Sequence, residues 1–210
     1  MVNSNTNHIQ NDLDASTYIY GVKGDSYGGT YSYYLGKTNS KYFISKTDIY
    51  GCHAWIQMLI DVPNPHSLML ASSSYQANNV YYTLKSTSDL TLVQMSSVNG
   101  AFERAYTIDT VYQDSNQLCT SNRTHSSLFC IGKQISNGKM TIIRFDAKSL
   151  DIQVVYYPST YSSDKNLDLI KMHYERVLFY VREGTLNHLI DASYDGNANE
   201  FAENSHHTIN

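Results

Sequence analysis

The stretch whose residue types come closest to a nucleophilic site is GDSYGG, at residues 24–29. A serine nucleophile needs a general base within hydrogen-bond reach and a third group that orients this base. Tyr27 interrupts the small residues around Ser26, and no histidine and aspartate accompany it in the required context. A glycine-rich hairpin explains the stretch better, and the sequence predicts that the protein is not an enzyme.

Metal-ligating patterns are equally incomplete. The stretch DGNANE places Asp195, Asn197 and Asn199 at alternate positions, as at the start of a calcium loop, but it lacks that loop's later Glu. The eight histidines form neither an H-x-x-x-H nor an H-E-x-x-H pattern, and His206 and His207 lie in a polar tail. The sequence therefore predicts a polar hairpin tip at DGNANE, no metal and no cofactor.

The three cysteines allow at most one internal disulfide. If Cys119 and Cys130 end adjacent antiparallel strands, a bridge between them would stabilise the fold by roughly 2–3 kcal/mol. Two reduced cysteines within strands are the alternative, and both remain open. Cys52 is expected to stay unpaired beside a hairpin turn.

The tripeptide Asn122-Arg123-Thr124 is the one N-x-[ST] sequon in the chain. It lies in a long polar insertion, where a glycan attached to Asn122 would have room. Use of this site depends on secretion of the chain.

Pairs of adjacent tyrosines provide the strongest indication of a binding surface. Successive residues of a strand face opposite sides of its sheet, so one tyrosine of each pair should pack inward while the other faces outward. Exposed tyrosine beside Asn and Ser can stack on sugars or anchor a protein partner. A tyrosine-rich sheet without a ligand is the alternative. The pairs are Tyr33 and Tyr34, Tyr81 and Tyr82, and Tyr156 and Tyr157.

Composition excludes two classes of partner. The chain of 210 residues has a net charge of −4, only 16% charged residues and no basic stripe, so a nucleic-acid partner is not expected. No apolar run approaches the ~18 residues of a membrane span. The N-terminus has no basic region followed by an apolar core, so no signal peptide is predicted.

Repeated segments of strand, turn, strand, turn and strand organise the chain. They cover residues 32–60, 67–98 and 127–158, with a shorter copy at 176–201. The residues expected to open the second turn of each copy are Asp48, Ser86, Asp146 and Asp191, at steps of 38, 60 and 45 residues. Two of these steps are close to the ~40–50 residues of a four-stranded blade. The long step should contain an outer strand and an extended loop.

The stretch KTDIYGCHAW, residues 46–55, contains the clearest motif of these repeats. Asp48 is expected to open a tight turn, Gly51 to take its positive φ, and Trp55 to face the neighbouring sheet. Lys46, Asp48, Gly51 and Trp55 resemble the SBBP-type β-propeller repeat, in which Lys, a hydrophobe, Asp, two spacers, Gly, three spacers and Trp follow one another. Thr47 replaces the hydrophobe. Weaker copies start at Asp146, where Ser149 and Gln153 replace Gly and Trp, and at Asp191.

The resemblance implies a fold and no particular activity. We expect an all-β fold, a β-propeller or propeller-like array of about four blades, with a β-sandwich as the alternative. Asp48, Gly51, Trp55, Asp146 and Asp191 are then structural hairpin residues. Residues 1–16 should be a disordered or extended lead-in, residues 17–201 a single propeller-like domain, and residues 202–210 a polar tail.

Repeats without a catalytic constellation favour a non-enzymatic interaction or structural module of a larger assembly, whose partners are other protein chains or further copies of itself. A carbohydrate-binding domain at the cell surface or outside the cell is the alternative, with glycans as ligands. A propeller hydrolase is a third, and it would need Asp25, Asp114 and Asp164 to meet on one face. The compartment stays open, with an extracellular location favoured over others.

Overall fold

The structure is a computed structural model that describes residues 18–24, 31–38, 41–63, 65–71, 79–84, 86–112, 119–122, 127–136, 140–147, 149–156, 166–173, 176–183, 185–195 and 200–209. Asp25, Asp114, Asp164, Tyr157 and the predicted lead-in of residues 1–16 lie outside these ranges.

Every regular element in the described ranges is a β-strand, in keeping with a chain rich in Tyr and Thr. The strands are β1 (Tyr18–Gly24), β2 (Tyr31–Thr38), β3 (Lys41–Asp48), β4 (His53–Leu59), β5 (Pro65–Ala71), β6 (Asn79–Leu84), β7 (Leu90–Ser96), β8 (Phe102–Ile108), β9 (Val111–Tyr112), β10 (Cys119–Asn122), β11 (Ser127–Gln134), β12 (Met140–Asp146), β13 (Ile152–Tyr156), β14 (Asn166–His173), β15 (Arg176–Glu183), β16 (Leu186–Asp195) and β17 (Glu200–Ile209).

The strands form four antiparallel sheets, each built from neighbours in sequence. Sheet I has the order β1-β2-β3-β4, sheet II β5-β6-β7-β8, sheet III β10-β11-β12-β13 and sheet IV β14-β15-β16-β17. The short β9 pairs with the end of β11, beyond the part that pairs with β10. Successive small meanders are the organisation of β-propeller blades, whereas a sandwich connects its strands in Greek-key order.

The chain divides into two compact units, Met1–Leu84 with Leu92–Ala105, and Lys85–Thr91 with Tyr106–Asn210. In the first unit the core combines residues of sheets I and II, among them Tyr33, Ile44, Trp55, Leu70 and Tyr82. In the second unit the inner strands of sheet III supply fully buried side chains, including Leu128, Ile131, Ile142 and Phe145. The large apolar residues along β11 and β12 explain why these strands are central.

The blade repeat is more regular than the sequence indicated. The third strand of each sheet ends at Asp48, Ser96, Asp146 or Asp195, so that the turns recur every 48, 50 and 49 residues. Ser86 and Asp191 were therefore the wrong turn residues. The prediction equated β5 with the second strands of the other sheets, because both begin with a serine and an apolar run. Asp191 instead lies inside β16, opposite Leu178, and its carboxylate pairs with Arg176.

The predicted polar tail is also wrong. Residues 202–210 belong, as far as Ile209, to β17, which pairs with β16 from Asn187↔Ile209 to Asp195↔Glu200. Most of β17 is exposed, so the strand has no apolar alternation that a sequence pattern would reveal. Its place in the sheet comes from backbone pairing along β16.

Cys119 and Cys130 are directly opposite each other on β10 and β11, and a disulfide joins their sulfur atoms. The structure thus contains the first of the two alternatives that the sequence left open. Cys52 is exposed and not disulfide-bonded.

Removing the disulfide should lower stability. In the chain-entropy model a bridge that closes a loop of this size contributes about 3 kcal/mol. We expect the double variant Cys119→Ala/Cys130→Ala to lose about this much free energy of unfolding, measured by urea denaturation. Cys52→Ala serves as the control and should leave stability within about 0.5 kcal/mol, as at an ordinary surface site. Equal stability of the double variant and the wild type would contradict the prediction.

Candidate functional site

A tight turn between β3 and β4 begins at Asp48. The Asp48 carboxylate oxygen Oδ1 accepts hydrogen bonds from the backbone N–H of Tyr50 and of Cys52, both at 2.9 Å. The Gly51 N–H donates to the Asp48 carbonyl at 3.1 Å, and Gly51 has a φ of 80°. The carboxylate accepts hydrogen bonds from two backbone N–H groups, and these bonds replace the inter-strand hydrogen bonds that end at the turn.

Sheets II and III have a turn at the corresponding place that is one residue longer and uses different residues. Ser96 Oγ accepts the N–H of Val98 at 3.2 Å, and Asp146 Oδ1 accepts the N–H of Ser149 at 2.8 Å. The positive φ belongs to Gly100 (71°) in sheet II and to Leu150 (64°) in sheet III.

In sheet III the sequence had placed Ser149 at the glycine position, one residue too early. Leu150 is 1% exposed, so its buried side chain holds a backbone conformation that leucine rarely adopts.

Two residues of the repeat motif at residues 46–55 extend from sheet I to the turn of sheet II. The Trp55 indole Nε1–H and the Lys46 ammonium both donate to the Ser97 carbonyl oxygen, each at 3.0 Å. The Lys46 ammonium also lies 4.1 Å from the ring centre of Tyr31 and 5.5 Å from that of Tyr33. Hydrogen bonds from charged donors and cation–π contacts are each worth about 1–2 kcal/mol when partly buried.

Gly100 completes this junction. A Cβ at Gly100 would lie 2.7 Å from the Trp55 Cε3 atom, whereas a Cβ at Gly51 would meet nothing within 4 Å. The indole face therefore packs directly on the turn backbone of sheet II. The four positions of the repeat motif thus act together. Asp48 and Gly51 form the turn of sheet I, and Lys46 and Trp55 contact the turn of sheet II.

These two glycines form a matched pair for mutation. Gly51→Ala should cost about 1–2 kcal/mol, the strain of a positive φ alone. Gly100→Ala should cost roughly 2–5 kcal/mol, because overpacking against Trp55 adds to the same strain. Urea denaturation of both variants measures the difference. Equal losses would show that Trp55 does not pack on the Gly100 backbone.

The structure corrects the predicted tyrosine surface. Tyr33, Tyr81 and Tyr82 are 1%, 0% and 4% exposed, so both members of the second pair are buried and none of the three can bind a ligand at the surface. β6 packs on both faces, and the expected alternation fails there. Burial raises the pKa of Tyr82 to about 12. Tyr34 is half-buried, and Tyr156 is the last residue of β13.

The predicted glycosylation site lies only partly within the described residues. Asn122 is the last residue of β10, where it pairs with Ser127, while Arg123 and Thr124 lie outside the described ranges. Glycosylation of Asn122 therefore stays a prediction.

An apolar groove of about 300 Å³ lies in the first unit. Its floor consists of Leu59, Tyr82 and Met95, which are all less than 10% exposed. Its rim carries Ile60 and Phe102, which are 75% and 65% exposed. Gln57, Met58 and Val62 complete the lining. The strands that border the groove, β4 and β8, are the edge strands of sheets I and II.

The described residues that line this groove include no charged side chain. On β8, Phe102 is followed by Glu103 and Arg104, and both of these hydrogen-bond to the buried Gln94 amide, at 2.6 and 2.7 Å. The opposite charges are thus held together beside the rim.

Sequence reasoning missed the groove because the neighbours of its two exposed hydrophobes do not mark them as exposed. Ile60 ends the apolar run of residues 58–60, as a buried strand residue would, and Phe102 follows Ala101. The acid directly after each of them is the one signal that could have found them.

Among the residues that the structure describes, no three or more His, Cys, Asp or Glu side chains are grouped to hold a metal ion. The same residues contain no helix with the length and apolarity that a membrane crossing requires.

Comparison with solved structures identifies the fold. The chain is similar to a prolyl endopeptidase (TM-score 0.59, 10% identity, covering 90% of this chain and 28% of that one). It is similar to the Dos1 propeller (TM-score 0.54, 15% identity, covering 92% of this chain and 47% of that one). A third match is prolyl oligopeptidase B from Galerina marginata (TM-score 0.53, 11% identity, covering 91% of this chain and 29% of that one). The chain thus spans less than half the length of each of these proteins.

No protein-family model matches the sequence. No curated protein matches it either. With the four meander sheets, the similarity to the Dos1 propeller confirms the predicted all-β, propeller-like fold. At 10–15% identity it shows the fold alone.

Proposed function

We propose that this chain is a non-enzymatic protein-binding module of a larger assembly, and that its apolar groove receives a short apolar segment of a partner protein. The observation that carries the proposal is the exposure of Ile60 and Phe102 on either side of an uncharged cleft. Isolated surface hydrophobes are common, but two that line one cleft with an apolar floor are typical of a binding groove.

The size of the groove favours a segment over a second copy of this chain. A stable interface between folded proteins involves roughly 20–30 residues on each side. Eight residues line the groove, and its volume of about 300 Å³ accommodates a few side chains. A linear segment with two or three apolar residues matches this space.

The lining of the groove favours a neutral segment, because the described residues that line it carry no charge. Beside the rim, Glu103 and Arg104 have opposite charges and both hydrogen-bond to Gln94. The bordering strands also favour an extended conformation. Within the described residues β4 and β8 each pair on one side only, and an exposed strand edge can pair with a further strand.

We also propose that sheet I is related to the SBBP-type β-propeller repeat. All four of its positions in sheet I make a defined contact, since Asp48 and Gly51 form the turn while Lys46 and Trp55 bind the next one. These contacts support a relation of sheet I to this repeat type, although Thr47 stands at the hydrophobe position. In sheet II the position of Lys46 is taken by Gln94.

The carbohydrate alternative has lost the outward tyrosine expected of the second pair, since both Tyr81 and Tyr82 are buried. The three acids that a hydrolase would need lie outside the described residues.

Selection of peptides from a displayed random library tests the proposal. We expect the wild-type chain to enrich short segments rich in apolar residues. Phe102→Lys and Ile60→Lys should each weaken a selected peptide by about 10- to 100-fold, because burial of such a side chain is worth about 1.5–3 kcal/mol. Binding is measured by titration calorimetry with the synthetic peptide.

Val98→Lys is the matched control. Val98 is 80% exposed and does not line the groove, so its replacement should leave affinity unchanged. Equal loss in the Val98 variant, or selection of charged peptides that ignore Phe102, would contradict the proposal.

A further inference from the structure

Two imidazoles meet on one face of sheet IV. His188 on β16 is opposite Thr208 on β17, and Ile190 is opposite His206, so the two histidines are diagonal neighbours across the strand pair. The His206 Nε2 atom lies 3.0 Å from the His188 Nδ1 atom. The Thr208 hydroxyl oxygen lies 3.3 Å from the same His188 nitrogen.

We propose that His188 and His206 form a binding site for a divalent transition-metal ion, with Cu²⁺ held most tightly. Imidazole nitrogens bind such ions at about 2.0–2.1 Å. With nitrogens 3.0 Å apart, an ion at that distance from both subtends an angle of about 90–100°. This is the angle between adjacent ligands in the tetragonal geometry of Cu²⁺, which also heads the order of divalent affinities for nitrogen ligands.

Glu203 supports the metal-binding form of His206. Its carboxylate oxygen Oε1 lies 3.6 Å from the His206 Nδ1 atom, on the side of the ring away from His188. Metal-ligating histidines commonly direct their second nitrogen at a carboxylate, which fixes the tautomer and the ring orientation. A proton on Nδ1 leaves the Nε2 lone pair facing His188.

Metal binding needs a proton shift and a rotation of the rings, because an ion about 2.0–2.1 Å from both nitrogens lies off the line that joins them. The two facing nitrogens share one proton in the metal-free contact, and that proton moves to the remote nitrogen of the same ring when the ion enters. Both facing lone pairs then bind the ion, and no net charge has to leave the protein.

Burial gives the two rings different roles. His188 is 8% exposed and is fixed within the sheet, whereas the side chain of His206 is 32% exposed. The ion can therefore enter from the His206 side, where the Thr208 hydroxyl and water complete its coordination. The site has fewer than three strong protein ligands, so we expect moderate affinity.

The experiment titrates the full chain with CuCl₂, NiCl₂ or ZnCl₂ in a Cys52→Ser background, because the exposed thiol of Cys52 would itself bind these ions. Calorimetry gives affinity and stoichiometry, and electron paramagnetic resonance counts the nitrogen ligands of Cu²⁺. We expect one Cu²⁺ per chain with two nitrogen ligands, bound more tightly than Ni²⁺ or Zn²⁺.

His206→Asn should weaken Cu²⁺ binding at least 30-fold, and Glu203→Gln by about 10-fold. His207→Asn is the matched control: His207 is exposed and opposite Leu189, on the other face of β17, so this variant should stay within twofold of the parent. His188→Asn should also abolish tight Cu²⁺ binding, and His206→Asn carries the test on its own if this buried substitution prevents folding. Absence of Cu²⁺ binding, or equal loss in the His206 and His207 variants, would overturn the proposal.

Discussion

The carbonyl oxygen of Ser97 is the point at which the first two blades are joined. It accepts hydrogen bonds from the Trp55 indole and the Lys46 ammonium, and Gly100 packs on the indole face three residues later. A charged donor on a buried carbonyl is among the stronger hydrogen bonds of a fold, and removing either donor would take away one of these two hydrogen bonds. The spacing of sheets I and II in the first unit depends on this contact.

The groove follows from that spacing. Its floor takes Leu59 from β4 and Tyr82 and Met95 from sheet II, so it exists only where the two sheets are held at this distance. A junction built from turn backbone and a rigid indole fixes the floor while the rim residues stay exposed. A binding module needs this combination of a rigid frame and a few accessible apolar anchors.

The sequence predicted much of the fold and little of the site. Asp48, Gly51 and Trp55 were placed correctly because turn chemistry leaves a local signature: an acid that caps backbone donors and a glycine at positive φ. The corresponding turn in sheet II is one residue longer and begins with Ser96, and in sheet III the positive φ falls on Leu150. Packing between residues distant in sequence supports Ser96 and Leu150 at these positions. Because such packing leaves no local signature in the sequence, Ser86 and Asp191 were predicted in error. β17 was missed because its pairing involves the backbone, and the outward tyrosine expected of the Tyr81–Tyr82 pair was wrong because β6 is buried on both faces.

Hydrogen exchange of the Trp55 indole N–H, followed by NMR, tests the blade junction most directly. The account predicts that this proton exchanges far more slowly than that of free tryptophan, and that the indole ring shows nuclear Overhauser contacts to the Gly100 α protons. Exchange at the rate of free tryptophan, with no contact between the ring and Gly100, would contradict it.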